Sequence, residues 1–139
     1  MVTTLADDPP GTAANCPIAN TPPSSSCTLR DAITAADANN GGEGNITFAS
    51  GLTGTIDLTS VTPTALPTLR GQISITGPGA NVVTVSGNNS ATVGSIFAVY
   101  IGATVGISGL TIANGSAYIG GAINNSGALT LANNTFSGN

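Results

Sequence analysis

The sequence predicts an all-β chain wound as a right-handed parallel β-helix (a β-solenoid) with an N-terminal capping α-helix. Three observations carry this expectation. From residue 45 onward there is no helical period, only short β-branched runs divided by Gly and Asn. A pattern of Thr, large apolar, small, then Gly and Asn returns along the chain. Charge is scarce: charged residues make up 6 % of the 139, with no histidine and only two Lys or Arg, against roughly 25 % in an average soluble domain.

The repeat starts at Thr47-Phe48-Ala49-Ser50-Gly51. It recurs as Thr84-Val85-Ser86-Gly87-Asn88, Thr111-Ile112-Ala113-Asn114-Gly115 and Thr135-Phe136-Ser137-Gly138-Asn139, at intervals of 37, 27 and 24 residues. A shift of 24 also carries Val105 and Ile107 onto Leu129 and Leu131, and Ala98 and Val99 onto Ala122 and Ile123. Repeats of this length built from short strands signal stacked coils, because one coil cannot bury its apolar edge alone. Val85, Ile112 and Phe136 are then expected in one inward column, and Ile107 and Leu131 in another. Gly and Asn suit corners that need a positive φ, and stacked Asn side chains are expected to form amide ladders. Scarce charge fits too, since like charges stacked coil on coil repel.

In chain order, residues 1–44 are expected to hold a first strand at Val2 to Leu5, a cysteine-bearing loop and the cap, with the coils over 45–139, all in one structural domain. Asp8-Pro9-Pro10-Gly11 and Pro22-Pro23-Ser24 break the loop. Cys16 and Cys27 read as a disulfide formed in an oxidising compartment; two free thiols are the other reading. Cys27 to Asn40 is the one convincing helix. Leu29, Ala32, Ile33 and Ala36 make an apolar stripe, Thr28 and Asp31 have capping-box spacing, and Asn39-Asn40-Gly41-Gly42 should end it in the left-handed region. Arg30 and Asp31 read as a solvated or capping pair on its other side. Nothing resembling a leader precedes Val2, so the expectation is a removed leader or a chain cut from something longer.

Cys27-Thr28-Leu29-Arg30-Asp31-Ala32-Ile33, followed by Ala35-Ala36-Asp37-Ala38-Asn39, resembles the CSLREA-type motif that opens many secreted bacterial β-helix proteins, with Thr for the usual Ser and Asp for the usual Glu. Val2-Thr3-Thr4-Leu5-Ala6-Asp7-Asp8 is similar to that family's first strand. Ile46-Thr47-Phe48, Gly54-Thr55-Ile56 and Ile75-Thr76-Gly77-Pro78-Gly79-Ala80 are similar to its early coils. The resemblance implies a helix plugging the solenoid's N-terminal end and a secreted or cell-surface protein. It is compatible with adhesins, autotransporter-like passengers, surface-layer components and some polysaccharide-degrading enzymes. Members usually run on for more coils than the three to four expected here.

The charge inventory narrows function. A net charge of −4 with two cations cannot furnish a basic groove for nucleic acid. The uncharged run Ile96 to Ile112 is broken by Gly102, Gly106 and Gly109 and does not read as a membrane span. Without histidine there is no Ser-His-Asp arrangement, and two sulfurs alone do not complete a zinc site. Glu43 and Asp57 lie on different segments rather than forming the carboxylate pair of a glycosidase, and Arg70 has no acidic cluster beside it to hold calcium. No catalytic, cofactor or metal residues are therefore assigned. The sequons at Asn45, Asn88, Asn114, Asn124 and Asn133 are candidate glycosylation sites, with corner chemistry the plainer reading. Tyr100 and Tyr118 are aromatic enough to meet sugars but read first as packing residues.

The expected function is a non-catalytic extracellular structural module of a surface fibre, filament or adhesin. The alternatives are the N-terminal part of a longer carbohydrate-active lyase- or hydrolase-like enzyme, or a carbohydrate-binding surface. Ile123, Leu129, Leu131 and Phe136 in the last coil are expected to form a self-association edge that meets another copy or the chain's own continuation. Surface carbohydrate is the other partner considered.

Overall fold

The computed structural model describes residues 1–16, 26–39 and 42–139. It is a parallel β-solenoid of about three turns behind an N-terminal helix. One sheet runs β1 (Glu43–Thr47), β3 (Gln72–Thr76), β6 (Thr104–Ser108), β9 (Ala128–Ala132). The second runs β2 (Gly54–Asp57), β4 (Val83–Ser86), β7 (Thr111–Ala113), β10 (Thr135–Ser137). The third pairs β5 (Phe97–Val99) with β8 (Ile123–Asn125), and Leu69 extends it by a single bridge to Val99. Residues 58–68 contribute no longer strand there; Pro63 and Pro67 in that stretch lack the N–H a ladder needs.

Strict parallel register turns sequence alternation into continuous columns. Ile46, Ile75, Ile107 and Leu131 are paired in succession, as are Ile73, Val105 and Leu129. Ile56, Val85, Ile112 and Phe136 form the column of the second sheet. The expected columns are thus present, with two corrections. Thr47 pairs with Thr76 in the first sheet, so the first-coil member of the Thr column is Thr55, which is paired with Thr84. The misassigned interval of 37 becomes 29, because the Thr-apolar-small pattern occurs on both sheets and register alone separates them. Ala98 and Val99 pair with Asn124 and Asn125, not Ala122 and Ile123. The arc from β7 to β8 turns differently from the one before β5, so the shift there is 26.

The helix α1 (Leu29–Ala38) starts at a complete capping box: the Thr28 hydroxyl accepts from the Asp31 N–H, and the Asp31 carboxylate accepts from the Thr28 N–H. Leu29, Ala32, Ile33 and Ala36 are buried in the main core. The helix closes the solenoid beneath β1, where Gly44 leaves room for Ala36: a Cβ at Gly44 would stand 2.6 Å from that of Ala36. The helix ends at Asn39 in an extended conformation, and in the expected Asn-Gly run it is Gly42 that takes the left-handed region; Asn40 and Gly41 lie outside the described residues, as does Pro22-Pro23-Ser24. The expected boundary at residues 44 and 45 falls inside β1, and Val2 already bridges Phe48.

Corners are made by close backbone approach. A Cβ on Gly71 would lie 2.0 Å from the Gly42 carbonyl oxygen, and one on Gly115 would lie 2.0 Å from that of Gly121. Asn88, Asn89, Asn114 and Asn133 take the left-handed region, as Asn does more readily than most residues. The expected Asn–Asn ladders are absent among the described residues. Asn134 instead reaches back one coil, accepting from the Leu110 N–H at 3.0 Å and donating to the Ile107 carbonyl at 2.7 Å. Asn139 repeats this with Gly115 at 2.9 Å and Ile112 at 2.9 Å. Each amide thereby serves as a surrogate peptide group where the turn interrupts the ladder.

Candidate functional site

Most of the chain's few charges are taken up by its architecture. Arg30 is buried at 3 % exposure, which overturns the solvated reading of the helix pair. Its Nε donates to Asp7 Oδ1 at 2.7 Å and one terminal nitrogen to Asp7 Oδ2 at 2.8 Å. Two further guanidinium N–H groups reach the carbonyls of Ala65 at 2.6 Å and Thr64 at 3.0 Å. One side chain therefore ties the N-terminal loop, where the expected strand over Val2 to Leu5 is reduced to a single bridge at Val2, to the cap helix and the first coil. A bare helical period could not show this, since Asp7 is 23 residues away; the excess of carboxylates before the helix was the only hint. Asp31 is fully buried, accepting from Thr12, Asn15 and Thr28. Asp8 accepts from the Thr28 hydroxyl at 2.7 Å.

Cys16 and Cys27 are disulfide-bonded, with Cα atoms 5.1 Å apart. Of the two acids considered for catalysis, Asp57 accepts from the backbone N–H and hydroxyl of Thr59 at 2.8 and 2.6 Å, the geometry of an Asx turn. Glu43 is exposed on β1. Asp37 accepts from the Arg70 backbone N–H at 3.1 Å. Its partial burial raises its pKa above 3.8, opposed by that hydrogen bond and by the Arg70 charge. Among the described residues no three acids, cysteines or histidines are grouped to hold a metal ion.

The sequons divide by exposure. Asn45, Asn88, Asn124 and Asn133 are exposed. Asn114 is half-buried, donates to the Ser86 hydroxyl at 3.3 Å and lies under Gly138. Of the last-coil apolar residues, Ile123 and Leu129 are half-buried, while Leu131 and Phe136 are 43 % and 46 % exposed. Among the described residues no strand pairs with the outer side of β9 or β10.

Tyr100 and Tyr118 do not pack inside. Tyr118 stands wholly in solvent at 104 % exposure, with Ile119 beside it; Tyr100 is 47 % exposed, next to the exposed Ile101. The Arg70 guanidinium lies over the Tyr100 ring, 4.6 Å from its centre. A shallow hollow lined by Thr68, Ala98, Val99, Tyr100, Ile101, Asn124 and Ser126 crosses the third sheet. The tripeptide Tyr-Ile-Gly occurs at both 100–102 and 118–120, outside the repeating Thr-apolar-small pattern, and that repetition marks the two tyrosines in the sequence.

No protein-family model, curated protein or solved structure matches this chain. No helix among the described residues is long and apolar enough to cross a membrane; Ile96 to Ile112 instead contains β5, β6 and the start of β7.

Proposed function

We propose that the chain is a non-catalytic extracellular structural module, a β-solenoid segment of a surface fibre or adhesin that takes a further strand on its C-terminal edge. The observation carrying this is the course of the apolar columns. Ile107 and Ile112 are buried, at 1 % and 0 % exposure, while the next residues in their columns, Leu131 and Phe136, are nearly half exposed. One more layer of strands, from another copy or from further chain, would bury them and pair the open edge.

The structural use of Arg30, Asp7, Asp31 and Asp57 supports the non-catalytic reading. The disulfide supports an oxidising, exported location, as does the likeness to secreted β-helix proteins. Two copies meeting edge to edge would pair β9 with β9 antiparallel about a two-fold axis, because the opposite end carries the helix. A filament of this chain alone would need that helix-capped end as its second surface. Sedimentation velocity over a range of concentrations tests the reading: the parent associates, and Phe136→Glu with Leu131→Glu remains monomeric. A parent that is monomeric throughout refutes self-association through this edge.

A further inference from the structure

We propose that the outer face of the third sheet binds a carboxylate-bearing glycan chain; the proposal rests on the adhesin reading and gives it a ligand class. Register fixes what this face carries. Leu69, Val99 and Asn125 are successive partners, and side chains alternate between faces. Thr68, Ala98 and Asn124 therefore form one outward row, and Arg70, Tyr100 and Ser126 the next.

Tyr100 stands in the second row with Ile101 beside it, and the other exposed Tyr-Ile pair lies toward the opposite end of β5. Tyr100 and Ile101 follow β5 directly. Tyr118 and Ile119 precede β8, where the Ile119 carbonyl accepts from the Ser95 hydroxyl at 3.3 Å. From Ser95 to Tyr100 the strand rise gives about 17 Å between the rims. The apolar groups stand at the edges while hydroxyls and an amide line the floor. Such an arrangement suits a sugar, whose C–H faces stack on aromatic rings and whose hydroxyls take hydrogen bonds, better than the apolar centre of a protein interface.

The charge points to the acidic class. The chain has two side-chain cations, and Arg30 is buried against Asp7. Arg70 is thus the surface cation, and no acid stands among Thr68, Ala98, Tyr100, Asn124 and Ser126. The guanidinium carbon lies over Tyr100, 4.6 Å from the ring centre, and the side chain makes no hydrogen bond to another described residue. Asp37 lies near enough to feel the Arg70 charge, but it accepts from the backbone N–H of Arg70 and leaves the guanidinium donors unused. A planar carboxylate fits such a fork. On the other side of Tyr100 the register neighbour is Ser126, too small to cover the second ring face.

Native affinity electrophoresis in gels cast with polygalacturonate, alginate or neutral hydroxyethylcellulose tests the site. The expected result is retardation by at least one polyuronate and none by the neutral polymer. Tyr100→Ala and Arg70→Gln should each weaken it about five-fold, the scale of one exposed ion pair, with melting unchanged. No retardation by either polyuronate, equal retardation by the neutral polymer, or retardation indifferent to both substitutions overturns the proposal. So does loss of self-association in Tyr100→Ala, which would make this face a contact between copies. Release of sugar fragments from a bound polyuronate would instead sink the non-catalytic reading and leave the site standing; absent retardation sinks the site and leaves the scaffold.

Discussion

Removing the carboxylate of Asp7 should come near to unfolding the protein. Asp7 and Arg30 are both buried at 3 % exposure and joined by two hydrogen bonds, 2.7 and 2.8 Å long. In Asp7→Ala the guanidinium keeps only the carbonyls of Thr64 and Ala65, an uncompensated charge out of water. Breaking a buried pair from one side costs about 3–5 kcal/mol, a large share of the roughly 5–15 kcal/mol that holds a domain folded. For a chain of this size that lowers Tm by roughly 10–20 °C. Arg30→Ala should cost a similar amount, since it strands the carboxylate and both carbonyls. The double variant should cost less than the sum of the two, because neither partner is then left charged and alone. Thermal and urea melts followed by circular dichroism measure all three. Single variants within about 0.5 kcal/mol of the parent, the range of an ordinary surface change, would refute the claim that this pair latches cap to coil.

Ile112→Asp should abolish cooperative folding, because it buries an unpaired carboxylate inside a four-residue column; melting near the parent's temperature would contradict that column. Asn134→Ala should cost about 1–3 kcal/mol by leaving the Leu110 N–H and Ile107 carbonyl unmet, read by urea denaturation. The Asp37 pKa is raised by burial, so the folded state holds its proton more tightly than the unfolded. Asp37 therefore favours folding below about pH 3.8, and that contribution is lost as pH rises through the higher folded value. Asp37→Asn should flatten the stability–pH curve just above pH 3.8, and an unchanged curve would contradict the assignment. Native protein should take up no alkyl groups by mass without reductant and two after reduction, since Cys16 and Cys27 are bonded.

The solenoid was legible because a stacked fold writes its columns into the sequence: Val85, Ile112 and Phe136 recur wherever the core passes. The cap was legible for a local reason, as Thr28 and Asp31 interact within one helical turn. What could not be read depended on turns of unequal length. Thr47 imitates the Thr column because strands of two sheets share a composition, and only pairing assigns Thr55 in its place. The partnership of Arg30 with Asp7 and the backbone clamps of Asn134 and Asn139 join residues far apart in sequence through side chains, where no period reports them. Tyr100 and Tyr118 belong to no core column: Tyr100 directly follows β5 and Tyr118 lies in the turn between β7 and β8, so both are exposed where composition suggests packing.

The central claim, that the last coil's edge accepts another layer of strands, is tested most directly by amide hydrogen exchange over 128–137 as protein concentration rises. Amides of β9 and β10 that do not bond to β6 or β7 should exchange rapidly in dilute protein and become protected in step with association. Fast exchange at every concentration would contradict the account.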